Sequence, residues 1–498
     1  MSSIHEQAMN YVYQQVLQRL TSYFSRAERT ALQLFIQRLI VSAGGIERIG
    51  TYKVMVAFSG GKDSAYTVAF LRAAQLSIAN RSPTTFSLRV ATLRHAGMTS
   101  AVMDNIHRSY SALFLYDDPR VEVLMVDHQF VRTFNIESPF SSAGRERNRS
   151  DMLLTGHMTA GDGRATFCNS CYLGLADFFA RAACWGTGID SLVSGDSRKE
   201  QKQYMAWAMR FAEGLDLPAS DWRNQSFNGV LKTVSGVGQA YYHELYGEGA
   251  EATGRTCAYP NKAVVPAFLT LFDLVSCNAE DHWPLLIEFL NFQFDDLSFN
   301  FSESDCANPM LMAHMRGLQA QYVNDRTYPE GVREYLILAK ALMRGKKMPE
   351  QLIDQAMAAY DTLAKIEARR MLSAAHALDA FGLNDAQLVC LLFAPFVDSG
   401  LFLEAFLRRC HPGMLVALPD LHKALMGLPV PEHVTQWLID ISGLSKVGLQ
   451  ALYGKKRVDF NDPTSLIARV RAGDPDKRRI MTVDAETGEP SAQTVSGR

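Results

Sequence analysis

The sequence predicts an α/β fold: a mostly parallel, doubly wound sheet with helices before it and a large all-helical region after it. A Val-rich stretch, Lys53–Phe58, runs directly into a glycine loop and then into a helical segment. Three further strand-like stretches, at 88–93, 121–126 and 191–194, are separated by helical ones. Strands that alternate with helices typically form a parallel sheet covered on both faces. Past residue 265, apolar residues recur at helical spacing in almost every segment.

The chain of 498 residues is too long for one compact core, so we expect several domains. The predicted divisions are an N-terminal helical segment over 1–50, an α/β domain over 51–265, a helical domain over 266–475 and a disordered tail over 476–498. Two helices over 5–43 make up the first segment. The helical domain is predicted to contain helices at 264–275, 283–292, 310–323, 331–344, 349–379, 385–395, 400–408 and 433–452.

Composition weighs against several classes of protein. A hydrophobic content of 47% and a charged content of 20% are ordinary for a globular protein. The net charge of −2 gives no basic signature of a dedicated nucleic-acid binder. We find neither a secretory leader nor an apolar run of the roughly 18 residues that cross a bilayer. Eight cysteines without an export signal favour a reducing compartment, so we expect a cytoplasmic protein with no membrane partner.

The glycine loop is the strongest chemical signal. It consists of Ser59, Gly60, Gly61, Lys62, Asp63 and Ser64. The two glycines allow backbone N–H groups to turn toward an anion, and the helix after the loop adds its positive end. Both serine hydroxyls and Lys62 add donors and charge, while Asp63 suits Mg²⁺ or the turn itself. The spacing differs from the Walker loop, and a plain Gly-Gly turn without ligand is the alternative.

This intact hexapeptide, between a strand and a helix, resembles the signature of the PP-loop ATP pyrophosphatases, the N-type or adenine nucleotide alpha-hydrolase-like enzymes. The resemblance covers about residues 50–265. It implies a HUP-like fold that binds ATP with Mg²⁺. It also implies attack on the α phosphorus, which transfers AMP to a substrate oxygen and releases pyrophosphate, with Lys62 and Asp63 as catalytic residues.

A cysteine pair, Cys168-Asn-Ser-Cys171, is predicted at the entrance of a helix that runs from Tyr172 to Trp185. Thiolates at this spacing can share a metal or a cluster, and a helix N-terminus favours their ionised form. Taken alone, the pair also suits a redox site, half of a zinc site or two packed thiols.

A helix, a short strand and Ser194-Gly195-Asp196 come after the cysteine pair. This order resembles the iron–sulfur-dependent tRNA 2-thiocytidine and 2-thiouridine synthetases of the PP-loop family. The resemblance implies that Cys257 completes a three-cysteine 4Fe–4S site with Cys168 and Cys171, and that sulfur replaces an activated oxygen. A structural zinc is the alternative occupant.

The sequence departs from that branch after the short strand. The expected Gly-His turn is Gly195-Asp196, and the acidic pair beyond it is replaced by Arg198-Lys199-Glu200. We expect Gly195 and Asp196 at the nucleotide, with Lys199 or Arg198 neutralising charge on the α phosphate. The alternative is a solvated charged turn.

Other candidates lie after the second and third predicted strands. His95 comes after the second strand, at the edge where ligands of parallel sheets bind, and is expected to contact the nucleotide or to be a solvent-facing loop residue. Asp127-His128 comes after the third strand and faces the same edge. The remaining cysteines lack partners at metal spacing and are predicted to be buried small hydrophobes. They are Cys184, Cys277, Cys306, Cys390 and Cys410.

These signals support three hypotheses. The leading one is an ATP-dependent sulfurtransferase that acts on a small molecule or a tRNA base, with a sulfur donor protein as partner. The second is an amide ligase or amidotransferase-like enzyme with a structural zinc. The third is an ATP-binding subunit with little turnover, whose helical region docks a partner subunit or a second copy of the chain.

Overall fold

One six-stranded sheet forms the centre of the computed structural model. The described residues are 3–128, 130–195, 215, 227–247, 266–275, 282–295, 306, 308–345, 350–462, 464–473, 477–483 and 490–496. The strands are β1 Lys53–Ala57, β2 Ser87–Arg94, β3 Val121–Asp127, β4 Phe130–Thr133, β5 Ser191–Ser194 and β6 Ala267–Thr270.

The strand order is β4-β3-β2-β1-β5-β6. All pairs are parallel except β3 and β4, which are antiparallel. The chain moves outward from β1 through β2 to β3 and then crosses to the other side of β1 at β5, where Val54 pairs with both Leu88 and Ser191. The prediction of a mostly parallel α/β sheet is therefore confirmed. Ligands of such sheets bind beyond the carboxyl ends of the strands at this reversal, here between β1 and β5.

Helices cover both faces of the sheet. Those within the first half are α1 Ser3–Tyr23, α2 Arg26–Ser42, α3 Lys62–Ala79, α4 Ser100–Ala112, α5 Ser142–Thr159, α6 Gly163–Leu173, α7 Leu175–Cys184 and α8 Phe227–Tyr246. The two predicted N-terminal helices are confirmed, and α2 begins with a capping box in which Ser25 and Glu28 bond each other's backbone N–H. Both α1 and α2 pack on α3, which is buried along most of its length.

The second half is mostly helical. Its helices are α9 Pro309–Tyr322, α10 Tyr328–Gly345, α11 Glu350–Ala358, α12 Leu363–Phe381, α13 Asp385–Phe393, α14 Leu403–Cys410, α15 Leu418–Leu425, α16 Glu432–Ser442, α17 Lys446–Tyr453 and α18 Leu466–Gly473. Short 3₁₀ helices occur at Ile46–Thr51, Asp398–Gly400 and Pro412–Ala417, and a π-helix at Leu285–Phe289. None of the described helices combines the length and the apolar character needed to cross a bilayer.

The predicted helix at 264–275 is wrong, because Ala267–Thr270 is strand β6. It pairs in parallel with β5, so the sheet extends past the predicted boundary at residue 265. The run Ala-Phe-Leu-Thr is too short for its periodicity to separate a strand from a helix.

The helical half shares a core with the sheet. One cluster of buried residues contains Met55 of β1, Met152 of α5 and Leu388 of α13. Arg149 of α5 also donates to two carbonyl oxygens of the second half, that of Gly382 at 3.1 Å and that of Gly443 at 3.0 Å. The second half thus packs directly on the helices that cover the sheet.

The chain end differs from the expectation of disorder over 476–498. Lys477–Val483 forms strand β7 and Pro490–Ser496 forms strand β8, and the two pair as an antiparallel hairpin. Ile480, Val483 and Val495 supply the β-branched residues that favour extended backbone. The disorder predicted from the polar composition is therefore wrong for these two segments.

His157 of α5 is a buried histidine in the core between the sheet and the second half. It is 0% exposed, its ring centroid lies 5.3 Å from that of Phe396, and neither ring nitrogen has a hydrogen-bond partner among the described residues. Burial disfavours the charged imidazolium and lowers the pKa of His157 to about 3.

We therefore expect His157 to make the protein acid-sensitive. In the unfolded chain a histidine binds a proton below about pH 6.5, whereas His157 stays neutral in the fold, so stability falls as the pH drops below that value. Between pH 7 and pH 5 the loss is about 2 kcal/mol. Urea denaturation at both pH values should show this loss in the wild type and not in His157→Leu. The exposed His433→Gln should behave as wild type; an equal loss in His157→Leu would contradict the assignment.

Candidate nucleotide site and cysteine–histidine cluster

The glycine loop connects the carboxyl end of β1 to the start of α3. Phe58 N donates to Ala91 O at 2.8 Å, which continues the pairing with β2 past the end of β1. Gly60 then has φ +80°, and a Cβ placed there would lie 2.7 Å from Val102 Cγ1 and 3.0 Å from Ile106 Cγ1. Helix α4 therefore lies directly against the loop, and both the backbone and the space require glycine at position 60.

The polar groups of the loop are arranged around the start of α3. Gly60 and Gly61 are buried, whereas Ser59 and Asp63 are exposed. The Ser59 and Ser64 hydroxyl oxygens lie 3.0 Å apart, and Gly61 N donates to Ser59 Oγ at 3.3 Å. Gly61 caps α3 without a side-chain hydrogen bond. The loop and the positive helix end thus form a surface suited to an anion.

The end of β5 lies beside the first turns of α3. A Cβ on Gly195 would be 3.3 Å from Thr67 Oγ1 and 3.8 Å from Ser64 Cα. Gly195 and the glycine loop are therefore neighbours at the strand-order reversal, as the prediction of a shared nucleotide edge requires. The predicted site residues after Gly195 lie outside the described residues. They are Asp196, Arg198, Lys199 and Glu200.

The cysteine pair does not open a helix. Helix α6 runs from Gly163 to Leu173, so Cys168 and Cys171 lie in its second half, and the predicted position at a helix entrance is wrong. Asp162 begins α6 instead: its Oδ1 accepts from Ala165 N and its carbonyl oxygen from Thr166 N, both at 2.8 Å. Neither thiol therefore lies in the first turn of α6, and Asp162-Gly163 is the start signal that the sequence prediction missed.

His95 lies beside two cysteines at the carboxyl end of β2. His95 Nδ1 is 3.2 Å from Cys306 Sγ. The candidate ligand atoms of His95, Cys171 and Cys306 all lie within 4.8 Å of one another. We call these three residues the His-Cys-Cys cluster. The expected contact between His95 and the nucleotide stays a prediction.

Of the predicted three-cysteine set, Cys171 belongs to the His-Cys-Cys cluster. Cys168 is 6% exposed and lies outside the His-Cys-Cys cluster; Arg164 Nη1 is 3.6 Å from its Sγ. Cys257 lies outside the described residues, as does Cys277. Cys306 was predicted to be a buried hydrophobe; it is 2% exposed, but it sits against a potential metal ligand. No sequence signal marks this pairing, because 211 residues separate His95 from Cys306.

The other predicted cysteines and strand-end residues lie outside the His-Cys-Cys cluster. Cys390 is fully buried, as predicted, and burial raises the pKa of its thiol, while Cys184 and Cys410 are half-buried. Asp127 accepts hydrogen bonds at 2.9 Å from Ser141 N, Ser141 Oγ and Arg132 Nη2. These hydrogen bonds thus link β4 and the start of α5 to β3. Burial lowers the pKa of the neighbouring His128.

Comparisons with models of protein families, with curated proteins and with solved structures find no match for this chain. The likeness to PP-loop enzymes accordingly rests on the glycine loop and on the order of elements around it.

Proposed function

We propose that this chain is a cytoplasmic ATP-dependent enzyme that transfers AMP to an acceptor oxygen and releases pyrophosphate. The observation that carries the proposal is the place of the glycine loop. It lies at the strand-order reversal, with Gly195 of the neighbouring strand end against the first turns of α3. A close backbone approach, a positive helix end and a crevice between strand ends suit a chain of phosphates.

The roles of the loop are inferred from its exposure and charge. Lys62 begins α3 and would offset negative charge on the departing pyrophosphate, and the exposed Asp63 would hold Mg²⁺. In the proposed step the acceptor oxygen bonds to the α phosphorus while the bond from that phosphorus to the bridging oxygen breaks. Pyrophosphate leaves with the bridging oxygen, and AMP stays on the acceptor. Asp196 and Lys199, directly after Gly195, are proposed to act at the α phosphate.

For the fate of the adenylate we propose sulfur as the nucleophile. A hydrosulfide, supplied free or by a donor protein, would form a carbon–sulfur bond at the activated carbon while the carbon–oxygen bond breaks and AMP leaves with the oxygen. The support is the presence of thiols at the carboxyl edge of the same sheet. A cluster on Cys168, Cys171 and Cys257 is part of what the family resemblance implies. The acceptor would be a small molecule or a tRNA base.

An amide ligase is the second candidate, and one observation favours it. The two thiols of the His-Cys-Cys cluster lie beside the imidazole of His95, and two thiols with one imidazole are a typical set of zinc ligands. With a structural zinc, an amine or ammonia would take the place of sulfur as the nucleophile.

Lys62→Ala tests the adenylation step. ATP labelled at the α phosphate should give labelled AMP, not ADP, with the purified wild-type chain and Mg²⁺. Loss of one preorganised group that stabilises charge costs about 100- to 1,000-fold in rate, and we expect this loss in Lys62→Ala. Lys446→Ala is the matched control, because Lys446 also begins a helix but is exposed in the second half.

The products separate the hypotheses. Release of ADP, or equal AMP formation by both lysine variants, would contradict the proposal. ATP binding without turnover would support a nucleotide-binding subunit. ATP-dependent incorporation of labelled sulfide into the tRNA or the small-molecule fraction of a cell extract would support sulfur transfer. Incorporation of labelled ammonia instead would support the ligase.

A further inference from the structure

The His-Cys-Cys cluster joins three distant parts of the chain at one point. His95 comes directly after β2, Cys171 belongs to the last turn of α6, and Cys306 precedes α9. His95 and Cys171 are half-buried and Cys306 is buried. Imidazole and thiolates are the ligands that Zn²⁺ prefers, and the ligand atoms of these three residues lie within 4.8 Å of one another.

The separations suit one ion. Around a tetrahedral Zn²⁺ with bonds of about 2.3 Å to sulfur and about 2.0 Å to nitrogen, ligand atoms lie roughly 3.5–3.8 Å apart. In the structure all three ligand atoms lie within 4.8 Å of one another, and His95 Nδ1 and Cys306 Sγ are 3.2 Å apart. In an iron–sulfur cubane each thiolate binds a different iron, so the ligand atoms lie farther apart than around one ion.

The backbone holds the ligands in place. A Cβ on Gly97 would lie 2.8 Å from Cys306 Cα and 3.0 Å from its Sγ, so the turn after β2 touches Cys306 closely. This turn is braced, because Met98 N donates to His95 O at 3.2 Å and Arg94 Nη1 donates to Met98 O at 2.9 Å. The glycine permits the approach, and the turn fixes the backbone that carries His95.

We propose that His95, Cys171 and Cys306 bind a single Zn²⁺ ion. The described residues supply three of its four ligands, which leaves one position for a fourth residue or an exchangeable small molecule. The site shares Cys171 with the three-cysteine set of the sequence prediction, so one chain cannot hold both; it contains His95 and Cys306 and leaves out Cys168. It also stands apart from the adenylation proposal, since it needs neither ATP nor an acceptor.

The proposed ion would lie next to the nucleotide loop. The turn that carries His95 leads into α4, and Val102 and Ile106 of α4 pack against Gly60. Strands β1 and β2, which end at the two sites, are hydrogen-bonded neighbours. The turn after β2 and the first turns of α4 thus connect the two sites.

Metal titration of the full chain tests the site. The protein is stripped with a chelator under reducing conditions and titrated with Co²⁺, whose thiolate charge-transfer and tetrahedral d–d bands report the ligands, and then with Zn²⁺ as competitor. We expect about one equivalent bound by the wild type. Loss of a residue that merely supports a ligand costs about 10- to 100-fold in affinity, so His95→Ala and Cys306→Ser should each lose at least that much.

Two variants with unchanged ligands serve as controls. Cys168→Ser, one turn from Cys171 in α6, and Cys410→Ser, in the second half, should bind Co²⁺ as the wild type does. His95→Cys should keep the ion but strengthen the charge-transfer band, which a merely misfolded variant would not do. Circular dichroism of each variant checks the fold.

Two results would overturn the site. One is unchanged Co²⁺ affinity in His95→Ala and Cys306→Ser. The other is about four irons per chain after anaerobic purification that are lost in Cys168→Ser and Cys257→Ser but kept in His95→Ala. The second result would establish the three-cysteine cluster instead. Absence of AMP formation in the wild type would bear on the adenylation proposal alone.

Discussion

Gly60→Ala should abolish ATP-dependent AMP formation and destabilise the fold. The added methyl group would lie 2.7 Å from Val102 Cγ1 and 3.1 Å from Val102 O, and the backbone at φ +80° disfavours any L side chain. The left-handed conformation costs about 1–2 kcal/mol, and overpacking costs about 1–3 kcal/mol more. Either α4 or the loop must shift, which moves the backbone N–H groups that we propose face the phosphates. We expect AMP formation to fall more than about 100-fold, as for loss of one oxyanion donor.

Gly247→Ala separates the effect of left-handed backbone strain from the effect of the steric clash with α4 that Gly60→Ala would cause. Gly247 comes after α8 with φ +77°, almost the same as Gly60, but a Cβ there would meet none of the described residues within 4 Å. This variant should lose only the roughly 1–2 kcal/mol of left-handed strain and keep its activity. Urea denaturation and the labelled-ATP assay measure both effects. Equal behaviour of the two variants would show that the close approach of α4 to the loop is unimportant.

The sheet and its loop could be predicted because their signals are local. Each of β1, β2 and β3 has five to eight residues, with Val, Leu, Met or Ala at four or more of them, and the two glycines after β1 mark a turn. Strands β4 and β6 have four residues each and were not predicted. Short edge strands form because a neighbouring strand is already in place, and that neighbour does not appear in the local sequence.

The His-Cys-Cys cluster could not be predicted for a related reason. The spacing of Cys171 from Cys168 marks those two thiols as a pair, but it carries no sign of His95 or Cys306. His95 and Cys306 meet because β2 ends beside the residue that precedes α9. The missing side chain at Gly97 leaves room for Cys306. Contacts between segments so far apart depend on the packing of the whole second half on the sheet.

The buried ion pair between Arg72 and Asp118 should have the largest effect on stability. Asp118 precedes β3, and its carboxylate accepts from Arg72 Nη1 and Arg120 Nη2, each at 2.7 Å. The side chains of Asp118 and Arg72 are 0% exposed. Arg72 of α3 also donates to Leu113 O and Phe114 O, both at 3.1 Å, so it joins α3 to the end of α4 and to the approach to β3.

Burial would raise the pKa of Asp118, but hydrogen bonds from Arg120 and Arg72 and their charge outweigh it and lower the pKa to about 2. The unfolded value is about 3.9, so the ionised carboxylate stabilises the fold at pH values above that, and this contribution is lost as the pH falls through 2. The pKa difference corresponds to about 2.6 kcal/mol. Acid unfolding of the wild type between pH 4 and pH 2 should therefore include a contribution that Asp118→Asn lacks.

Asp118→Ala should lower the free energy of unfolding at pH 7 by about 3–5 kcal/mol, because it leaves the Arg72 guanidinium buried without its counter-charge. Asp420→Ala removes an ion pair of similar length, 2.8 Å from Lys423, whose side chains are half exposed; it should cost less than about 0.5 kcal/mol. The double variant Arg72→Met/Asp118→Leu should regain part of the loss, because the fully buried guanidinium is then gone, whereas the side chain of Arg120 is 29% exposed and can still be hydrated. If Asp118→Ala costs no more than Asp420→Ala, the buried pair does not hold α3 to β3, and the loop at the start of α3 must owe its position to the packing of α1, α2 and α4 alone.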